Sequence, residues 1–560
     1  MTPPASAEPV ARTLLAPAVR SHVEPTSDAF IKNRLDMLEQ IATIDDLLDA
    51  AELGGGERAL ARLRSRDKMP IRERIGHVLD PDTPFLEISP LAAYASDYAM
   101  GGGLVAGIGI IAGTECVVMG NDPTAMAGAM TPYSIKKWMR AMEIARENRI
   151  PYVSFVESAG GDLRIDPDAK DRTSVPGGMQ VDHFAQTGRF FYELTELSKL
   201  GIPTVCVVMG SSTAGGAYQP GLSDYNIVVK EQSKIFLAGP PLVQMATGEI
   251  SDDETLGGAQ MHAEVSGLGD YFAEDEMDAI RLCREVVSHL DWKKHDARPP
   301  MISEPPSLDE DELLGLVSRD LRQPLDVREI YGRIVDGSRF EEYKSRYGPN
   351  LICGWGQIHG HTVGFLGNNG VIETDAAEKG ATFIQLCNQI DVPLVFVHNI
   401  TGFMVGKDYE AAGIIKKGSQ MVNAVSNSTV PHVSLIVGGS YGAGNYGMSG
   451  RAFGNRFTFL WPTAKIAVMG PKQIAGVMSL VRRGQAARKG IEFDEEEDAR
   501  LVEAAETIQE RNSLALYASG AVTDDAIIDP RDTRTVLGIC LSVVRNNPVE
   551  GAEGYGVFRL

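Results

Sequence analysis

Apolar residues follow two different spacings along the chain. Between Phe30 and Leu53 they recur at helical spacing, and a second helical pattern covers 134–148. Further along, short β-branched runs alternate with helical stretches, for example IPYVSFVES at 150–158 and TVCVVMG at 204–210. Strands that read as continuous apolar runs are buried on both faces. The pattern therefore predicts an α/β protein with a layered core.

The second half of the chain repeats the first. Matched strings occur in the same order in both halves, at offsets of 247, 242, 228 and 231 residues. One period of about half the chain indicates two homologous domains rather than a solenoid, whose repeats run to roughly 20 to 50 residues. The matched strings are LVAGIG (104–109) with LICGWG (351–356), IPYVSFVES (150–158) with VPLVFVHNI (392–400), GIPTVCVVMGSSTAGGAY (201–218) with TVPHVSLIVGGSYGAGNY (429–446), and KIFLAGP (234–240) with KIAVMGP (465–471).

The repeat and the composition together predict three segments. Residues 1–27 are rich in Pro and Ala and are expected to form a flexible N-terminal tail. A proline-rich and acidic stretch at 295–312 is typical of an interdomain linker. We therefore predict one domain over 28–300 and its homologue over 301–560.

The charge balance narrows the classes of partner. The chain carries 53 basic and 75 acidic side chains, a formal net charge of −22, which argues against nucleic acid or an anionic membrane surface as the main partner. Its six cysteines are scattered without a C-x-x-C pair, which predicts buried thiols in a reducing compartment rather than a zinc ribbon. We expect a cytoplasmic protein with no metal site and no membrane anchor.

A glycine-rich turn directly follows an apolar strand in each half. SSTAGGAY follows TVCVVMG, and GSYGAGNY follows HVSLIVG. Glycine permits positive φ and close backbone approach, so such a turn can direct main-chain N–H groups at a ligand oxygen. The alternative is a tight turn that serves packing alone. Recurrence at equivalent positions in both halves favours the ligand-binding interpretation.

The second turn fits two well-known motifs that the rest of the sequence excludes. GGSYG at 438–442 fits the nucleophile elbow of α/β-hydrolases, but none of the ten histidines follows Ser440. GAGNYG at 442–447 fits the dinucleotide fingerprint, but no Asp or Glu lies between Tyr441 and Gly490 to hold a ribose. The chain also has no GxxxxGK[ST] phosphate loop, so we do not expect it to hydrolyse ATP.

The same acid-free interval is a basic island in an acidic chain. Two interpretations stay open at this point: contact with phosphates or an acidic neighbouring subunit, or an ordinary basic surface balanced by the acidic run at 492–498. The basic residues of the island are Arg451, Arg456, Lys465, Lys472, Arg482, Arg483, Arg488 and Lys489.

Many ordered motifs resemble one family, the carboxyltransferase β subunits of biotin-dependent acyl-CoA carboxylases. The resemblance covers about residues 30–560, and NITGFMVG with GNNG is similar to the methylcrotonyl-CoA and geranyl-CoA branch in particular. The motifs are LGGGE (53–57), PIRERI (70–75), STAGGAY (212–218), FLAGPPLV (236–243), ATGE (246–249), LGG (256–258), GNNG (367–370), NITGFMVG (399–406), GGSYGAGNYGM (438–448) and WPTAKIAVMG (461–470).

The resemblance implies the fold and the assembly. Each half would have a crotonase-type fold, a spiral of ββα units, giving two homologous crotonase-like (ClpP/crotonase spiral) domains in tandem that meet across a subunit dimer. The expected homo-oligomer is a β hexamer within an α6β6 complex, whose α subunits carry the biotin carboxylase and the biotin carrier. The cofactor would be biotin on that partner subunit, and this chain lacks an A-M-K-M biotinylation site.

The resemblance also implies roles for individual residues. An enolate forms on the acyl-CoA and negative charge develops on biotin, so two oxyanions need hydrogen-bond donors. By motif, Gly215 and Gly216 would hold the acyl-CoA oxyanion on the side of 28–300, and Ala443 and Gly444 the biotin oxygen on the side of 301–560. The remaining expected residues are Arg64, Arg66 and Lys68, either ligands of the CoA phosphates or an exposed basic helix, and Ser158, Gly160, Gly161, Phe403 and Tyr446, either pocket walls or packing.

Departures from the family pattern leave the acyl chain open. SAGGDL at 158–163, Gln219 and Gly221, and the residues that follow GNNG differ from the usual branch sequence. The first hypothesis is carboxylation of 3-methylcrotonyl-CoA, as in leucine degradation. The alternatives are the same reaction on geranyl-CoA or another acyl-CoA, a crotonase-like hydratase or isomerase, which the duplication disfavours, or a non-catalytic scaffold.

Overall fold

In a computed structural model the described residues are 14–162, 187–295 and 301–558. The chain groups into two compact units. The first unit comprises Asp45–His295 with Ser519–Ala526, and the second comprises Met1–Ile44, Asp296–Ala518 and Ile527–Leu560. The units thus follow the two repeated halves, except that residues up to Ile44 group with the second half and Ser519–Ala526 with the first. The α/β architecture and the repeat confirm the predicted fold class.

The first unit is built on an eight-stranded sheet. Its strand order is β1-β2-β3-β4-β5-β6-β8, with β7 paired to β5. The β1/β2 and β2/β3 pairs are antiparallel, and all later pairs are parallel. The strands are β1 Leu86–Glu87, β2 Leu104–Ile111, β3 Thr114–Asn121, β4 Tyr152–Ser158, β5 Thr204–Thr213, β6 Tyr225–Val229, β7 Lys234–Phe236 and β8 Tyr271–Ala273.

The second sheet repeats this topology. Its order is β16-β14-β13-β12-β11-β10-β9, with β15 paired to β13 as β7 is to β5. The predicted matched strings fall on corresponding strands: β2 with β10, β4 with β12, and β5 with β13. The strands are β9 Glu341–Tyr343, β10 Leu351–Ile358, β11 His361–Asn368, β12 Leu394–Ile400, β13 His432–Tyr441, β14 Phe457–Leu460, β15 Lys465–Ala467 and β16 Ala526–Ile527.

Helices cover these sheets and bury their apolar faces. In the first unit, helices Ile71–Val78 and Glu276–His289 pack on the sheet around Phe155 and Val207. In the second unit, Phe383 and Met421 supply the matching core from helices Thr374–Gln389 and Ile414–Asn427. The other α-helices are Asp28–Glu52, Glu57–Arg64, Pro132–Asn148, Arg189–Lys199, Tyr218–Leu222, Pro240–Thr247, Asp253–Gly257, Ala259–Met261, Leu313–Leu316, Val327–Ile334, Lys407–Ala411, Gly442–Gly447, Pro471–Lys489, Glu495–Ser513, Ala515–Gly520 and Thr533–Val543.

Both helices predicted from apolar spacing are present. Asp28–Glu52 matches the pattern from Phe30 to Leu53, and Pro132–Asn148 matches 134–148. The second begins where the Thr131 hydroxyl accepts a hydrogen bond from the Ser134 amide at 3.1 Å. It ends at Arg149, which is left-handed at φ 51°. A reciprocal cap and a left-handed C-cap residue are the usual signals for these two ends.

Part of the predicted flexible tail is held in place. The amide of Val19 donates to the Ser338 carbonyl at 2.8 Å, and that of His22 donates to the Glu329 carboxylate at 2.8 Å. Residues 1–13 lie outside the described residues. Among those that are described, no helix is both long and apolar enough to cross a bilayer.

Candidate functional site

Each unit makes the same turn at the end of its central strand. The pairing of β4 with β5 shifts register between Val156 and Ser158, and that of β12 with β13 shifts between His398 and Ile400. The next residue after the strand is left-handed in both units: Ala214 and Gly442 each have φ 54°. Alanine in this region is strained, and such strain is concentrated at functional sites. The repeated backbone therefore points to a function beyond chain reversal.

The first turn leaves open space around its two glycines. Neither Gly215 nor Gly216 has positive φ, so the backbone conformation does not require glycine at either position. A Cβ on Gly216 would come no closer than 3.8 Å to the Ser212 hydroxyl, and one on Gly215 would lie 3.7 Å from Met130 and Phe191. Room for a side chain exists at both positions, and glycine leaves that room empty.

A second segment lies against the first turn. Gly160 has φ 93°, its carbonyl accepts from the Met130 amide at 2.8 Å, and a Cβ added to it would lie 3.3 Å from the Thr213 carbonyl. The Ser158 hydroxyl accepts from the Gly160 amide at 3.2 Å, while Gly161 forms a parallel bridge with Met130. The predicted Ser158–Gly161 wall thus comes together with the turn, whereas Leu163 of the SAGGDL motif lies outside the described residues.

Arginine side chains line a cavity beside this turn. It has a volume of about 180 Å³ and includes Arg62, Arg66, Ala127 and Ala159, together with Ser211 of β5. Of the three predicted cations only Arg66 lies here. Arg62, which also lines the cavity, was missed, because it lies on the helix Glu57–Arg64 whereas Arg66 lies in the turn that follows.

Arg64 and Lys68 have other partners. Arg64 forms an exposed ion pair with Glu73, with one N···O distance of 3.3 Å. Lys68 is 12% exposed and forms an ion pair with Glu157, whose other oxygen accepts from Arg74 at 3.0 Å. Burial lowers the pKa of Lys68 below its usual range.

Lys68 and Glu157 belong to a buried charge cluster. Arg74 is fully buried and donates to Glu276 at 2.7 Å as well as to Glu157. Glu276 also accepts from the Met69 amide at 3.0 Å. Two cations and two carboxylates compensate each other at low dielectric, which a single unpaired charge there would not allow. The cluster fixes the segment after Arg66 to the end of β4.

The second turn is packed more tightly than the first. A Cβ on Gly444 would lie 2.6 Å from Ile400 and 3.1 Å from the backbone of Gly402. Ala443 lines an apolar cavity of about 500 Å³ beside it. The other lining residues are Phe403, Met404, Val405, Glu410, Ile414, Ile415, Gly418, Ser419, Val422 and Asn423.

Phe403, one of the predicted pocket residues, forms a wall of this apolar cavity. A Cβ on Gly418 or on Gly447 would lie 3.1 Å from the Phe403 ring, so the ring fits between two glycines. The strand-like pairing of this segment with Ile372 fixes the backbone, because the Met404 amide donates to the Ile372 carbonyl at 2.9 Å. Tyr446 instead is half exposed, and its ring packs against Phe453 at a centroid distance of 5.7 Å.

The basic island is balanced by acidic side chains, which favours the second of the two interpretations left open above. Helix Pro471–Lys489 packs against the acidic helix Glu495–Ser513. The ion pairs are Arg482 with Asp498 at 2.6 Å, Arg483 with Glu495 at 2.5 Å, Lys472 with Glu506 at 3.8 Å, and Lys465 with Glu510.

Two further predictions concern cysteines and metals. All six cysteines are buried thiols, as predicted. Within 14–162, 187–295 and 301–558 no group of three or more His, Cys, Asp or Glu side chains is arranged to hold a metal ion.

Comparison with known proteins agrees with this geometry. A carboxyl transferase domain family matches residues 62–553. The chain is 51% identical over 543 residues to a probable biotin-dependent acyl-coenzyme A carboxylase beta2 subunit of Mycobacterium tuberculosis, covering 97% of this chain and 100% of that protein. It is 44% identical to a probable mitochondrial methylcrotonoyl-CoA carboxylase beta chain of Drosophila melanogaster, covering 97% and 96% of the two.

A solved structure shares the fold over nearly the whole chain. The β subunit of Pseudomonas aeruginosa geranyl-CoA carboxylase superposes with a TM-score of 0.85 at 41% identity, covering 97% of this chain and 99% of that one. The chain therefore belongs to the carboxyltransferase β subunits of biotin-dependent acyl-CoA carboxylases, in the branch that includes the methylcrotonoyl-CoA and geranyl-CoA enzymes.

Proposed function

We propose that this chain transfers a carboxyl group from biotin on a partner α subunit to an acyl-CoA, with 3-methylcrotonyl-CoA as the first candidate substrate. The observation that carries the proposal is the duplicated strand and turn, which has a left-handed residue at the same position but different surroundings in each unit. One copy adjoins cationic side chains and the other an apolar cavity. These surroundings suit a CoA thioester and an uncharged biotin ring respectively.

On the acyl side, the amides of Gly215 and Gly216 stabilise the thioester oxygen as it becomes negative. Loss of a proton from the γ-carbon of a 3-methyl-enoyl thioester gives an anion that extends through the double bond to this oxygen, so the new carbon–carbon bond forms at the γ-carbon. Preorganised donors of this kind contribute on the order of 3 to 4 kcal/mol each. The open space around both glycines allows the thioester to reach the amides.

On the biotin side, Ala443 and Gly444 direct amides towards the ureido oxygen. The apolar lining that Phe403 and Val422 provide fits a neutral bicyclic ring and excludes water. Biotin, when bound, supplies the carboxyl group and a basic nitrogen.

For CoA, Arg66 and Arg62 are the candidate phosphate ligands. Both are exposed at the cavity beside Ser211 and Ala159. Lys68 would act indirectly, because its ammonium group already pairs with Glu157.

The ion pairs of Glu157 argue against the alternative class of enzyme, a hydratase or isomerase. Such an enzyme usually needs a carboxylate base near the glycine turn. Glu157 lies nearby but is bound by Lys68 and Arg74, so its oxygens are committed to cations. This arrangement favours carboxyl transfer.

Assembly and location complete the proposal. We propose that the chain works with an α subunit, since the relatives are named as β subunits or chains of carboxylases, and the family resemblance extends this to a β hexamer within an α6β6 complex. The six buried thiols support a reducing compartment, the cytoplasm, and the first candidate substrate would place the enzyme in leucine degradation.

A panel of thioesters tests the reaction. The chain is assembled with its α subunit, MgATP and bicarbonate, and offered 3-methylcrotonyl-CoA, geranyl-CoA, propionyl-CoA and acetyl-CoA. We expect bicarbonate-dependent carboxylation of 3-methylcrotonyl-CoA to be the fastest. Preference for geranyl-CoA would move the substrate to the one named for the similar solved structure. Failure to carboxylate any thioester would overturn the proposal.

A matched pair of arginines tests the CoA contact. Arg66→Ala should raise KM for the acyl-CoA by about tenfold or more, because a charge-assisted hydrogen bond contributes roughly 1.5 to 3 kcal/mol. Arg64→Ala, which removes a cation already paired with Glu73, should change KM by about twofold or less. Equal effects of the two substitutions would contradict the assignment.

A further inference from the structure

A buried polar chain lies beneath the second turn. His398 of β12 and Ser440 of β13 are both fully buried, and His398 Nδ1 lies 2.9 Å from Ser440 Oγ. The Asn445 side-chain amide donates to the same oxygen at 2.8 Å. Asn445 directly follows Gly444, so the chain of contacts runs from the sheet into the turn.

Hydrogen-bond chemistry fixes the direction of one of these contacts. The Asn445 Nδ2 group can only donate, so Ser440 Oγ accepts from it. Burial lowers the pKa of His398 to about 3, which keeps its imidazole neutral at physiological pH. The direction of the hydrogen bond between His398 Nδ1 and Ser440 Oγ follows the tautomer of the neutral imidazole, and in either direction it ties the ring to the hydroxyl. Each of the three side chains thereby orients the next.

The first unit lacks this chain. At the corresponding positions Val156 stands for His398 and Ala217 for Asn445, at offsets of 242 and 228. The Ser212 hydroxyl, which corresponds to Ser440, donates directly to the Gly216 carbonyl at 2.9 Å. The side chains on β12 and in the turn thus provide a support that only the second turn has.

We propose that His398, Ser440 and Asn445 are positioning residues that orient the amides of Ala443 and Gly444 towards the biotin oxygen. The inference rests on the proposed function for the biotin side. Ser440 and His398 have no exposed surface and do not touch the reacting atoms, and Asn445 acts with them through its hydrogen bond to Ser440. Their effect is on the direction of the donors, where an error of about 1 Å can lower the rate on the order of a hundredfold.

Kinetics can separate this role from general destabilisation. The reaction is run in reverse, with free biotin as the carboxyl acceptor and the carboxylated thioester as the donor. Ser440→Ala and His398→Phe should lower kcat/KM for biotin by about tenfold or more, and should leave KM for the thioester within about twofold. Ser212→Ala should show the opposite selectivity, since its hydroxyl supports the first turn.

Thr463→Val is the matched control. The buried Thr463 hydroxyl donates at 2.7 Å to the carbonyl of Val437, which lies on β13 like Ser440. The substitution removes this hydrogen bond to the strand and changes none in the turn. We expect a similar loss of thermal stability and unchanged use of biotin. If Ser440→Ala and Thr463→Val affect biotin equally, the positioning role is wrong. If the wild-type chain transfers no carboxyl group at all, both the proposed function and this inference are wrong.

Hydrogen exchange gives a readout independent of turnover. In folded His398→Phe and Ser440→Ala, the amides of 443–446 should exchange about tenfold faster than in the wild type, while those of 214–217 keep their rates. Unchanged exchange at 443–446 would overturn the inference even if the variants were inactive. Should either variant not fold, Asn445→Ala, which leaves the buried serine and histidine intact, takes its place in both measurements.

Discussion

The two glycine turns have the same backbone and different surroundings. Ala214 and Gly442 share a φ of 54°, and each ends a strand with a register shift in the neighbouring pair. Yet Gly216 has free space beside it, whereas Gly444 is in contact with Ile400. Duplication has preserved the geometry that directs the amides, while the side chains around each turn have come to differ.

A second pair of equivalent positions shows the same difference. Gly210 and Gly438 both lack a side chain because another residue lies over them: Glu157 in the first unit and Asn399 in the second. Glu157 is held by two cations. The repeat therefore keeps a polar side chain at this place and changes its charge, and only Glu157 is part of a cluster of paired charges.

The largest expected effect comes from adding one methyl group to each turn. Gly444→Ala forces a Cβ to within 2.6 Å of Ile400, so the turn must shift. We expect a loss of about 1 to 3 kcal/mol of stability and a fall in carboxylation on the order of a hundredfold. Gly216→Ala meets no atom closer than 3.8 Å and should unfold at the wild-type temperature.

Thermal unfolding and carboxylation rates of the two variants are measured together. For Gly216→Ala we expect slower turnover of acyl-CoA with an intact fold, and a stronger loss for Gly216→Val. If both alanine variants were equally destabilised, the contrast between an open and a packed turn would be incorrect.

Much of this comparison could be predicted from the sequence. The continuous apolar runs and the glycines placed both turns, because strand burial and turn chemistry are local properties. The contact between His398 and Ser440 could not be predicted, since it depends on β12 lying parallel to β13 in a given register. His398 precedes Ser440 in the chain, and the two side chains meet because β12 and β13 are paired strands.

The predicted cations illustrate the same limit. Arg64, Arg66 and Lys68 are close in sequence, but only Arg66 lines the cavity. The direction of each side chain depends on the end of the helix at Arg64 and on the buried Glu157, neither of which the run of basic residues indicates.

Among effects on stability alone, the largest concerns Glu157 and its counterpart Asn399. Glu157→Ala leaves Lys68 and Arg74 in a buried site with too little negative charge, which should cost about 3 to 5 kcal/mol. Asn399→Ala removes a neutral group and should cost about 1 kcal/mol. Urea unfolding measures both, and Glu157→Gln serves as the control that keeps the volume. A Glu157→Gln variant as stable as the wild type would show that the charge contributes nothing.

Acid should destabilise the second unit first. Burial lowers the pKa of His398 and His432, both in the second unit, to about 3 from an ordinary value of 6.5. Between these values the unfolded chain binds protons that the folded chain does not, so stability present above about pH 6.5 is lost as the pH falls. Each histidine contributes a slope of about 1.4 kcal/mol per pH unit.

In the first unit, the hydrogen bonds that Asp80 accepts from Gly113 and Arg284 hold its pKa below the usual range despite the opposing effect of burial, so its contribution is lost only below about pH 4. At pH 5, hydrogen exchange should therefore be faster in peptides of β12 and β13 than in those of β4 and β5. His432→Gln removes one of the two histidines and should lower the loss of unfolding free energy per pH unit by about the contribution of one histidine. Simultaneous opening of both sets of peptides would contradict the prediction.

The smallest effect tests the wall of the second cavity. In Gly418→Ala the new methyl group lies 3.1 Å from the Phe403 ring, which must move by a few tenths of an ångström. Gly476→Ala is the matched control, because it makes the same change inside a helix where nothing lies within 4 Å. Both gain helix propensity of up to about 1 kcal/mol. Only Gly418→Ala should raise KM for biotin, by roughly twofold to fivefold, with KM for the thioester unchanged. A change in thioester use would show that Phe403 also serves the acyl side.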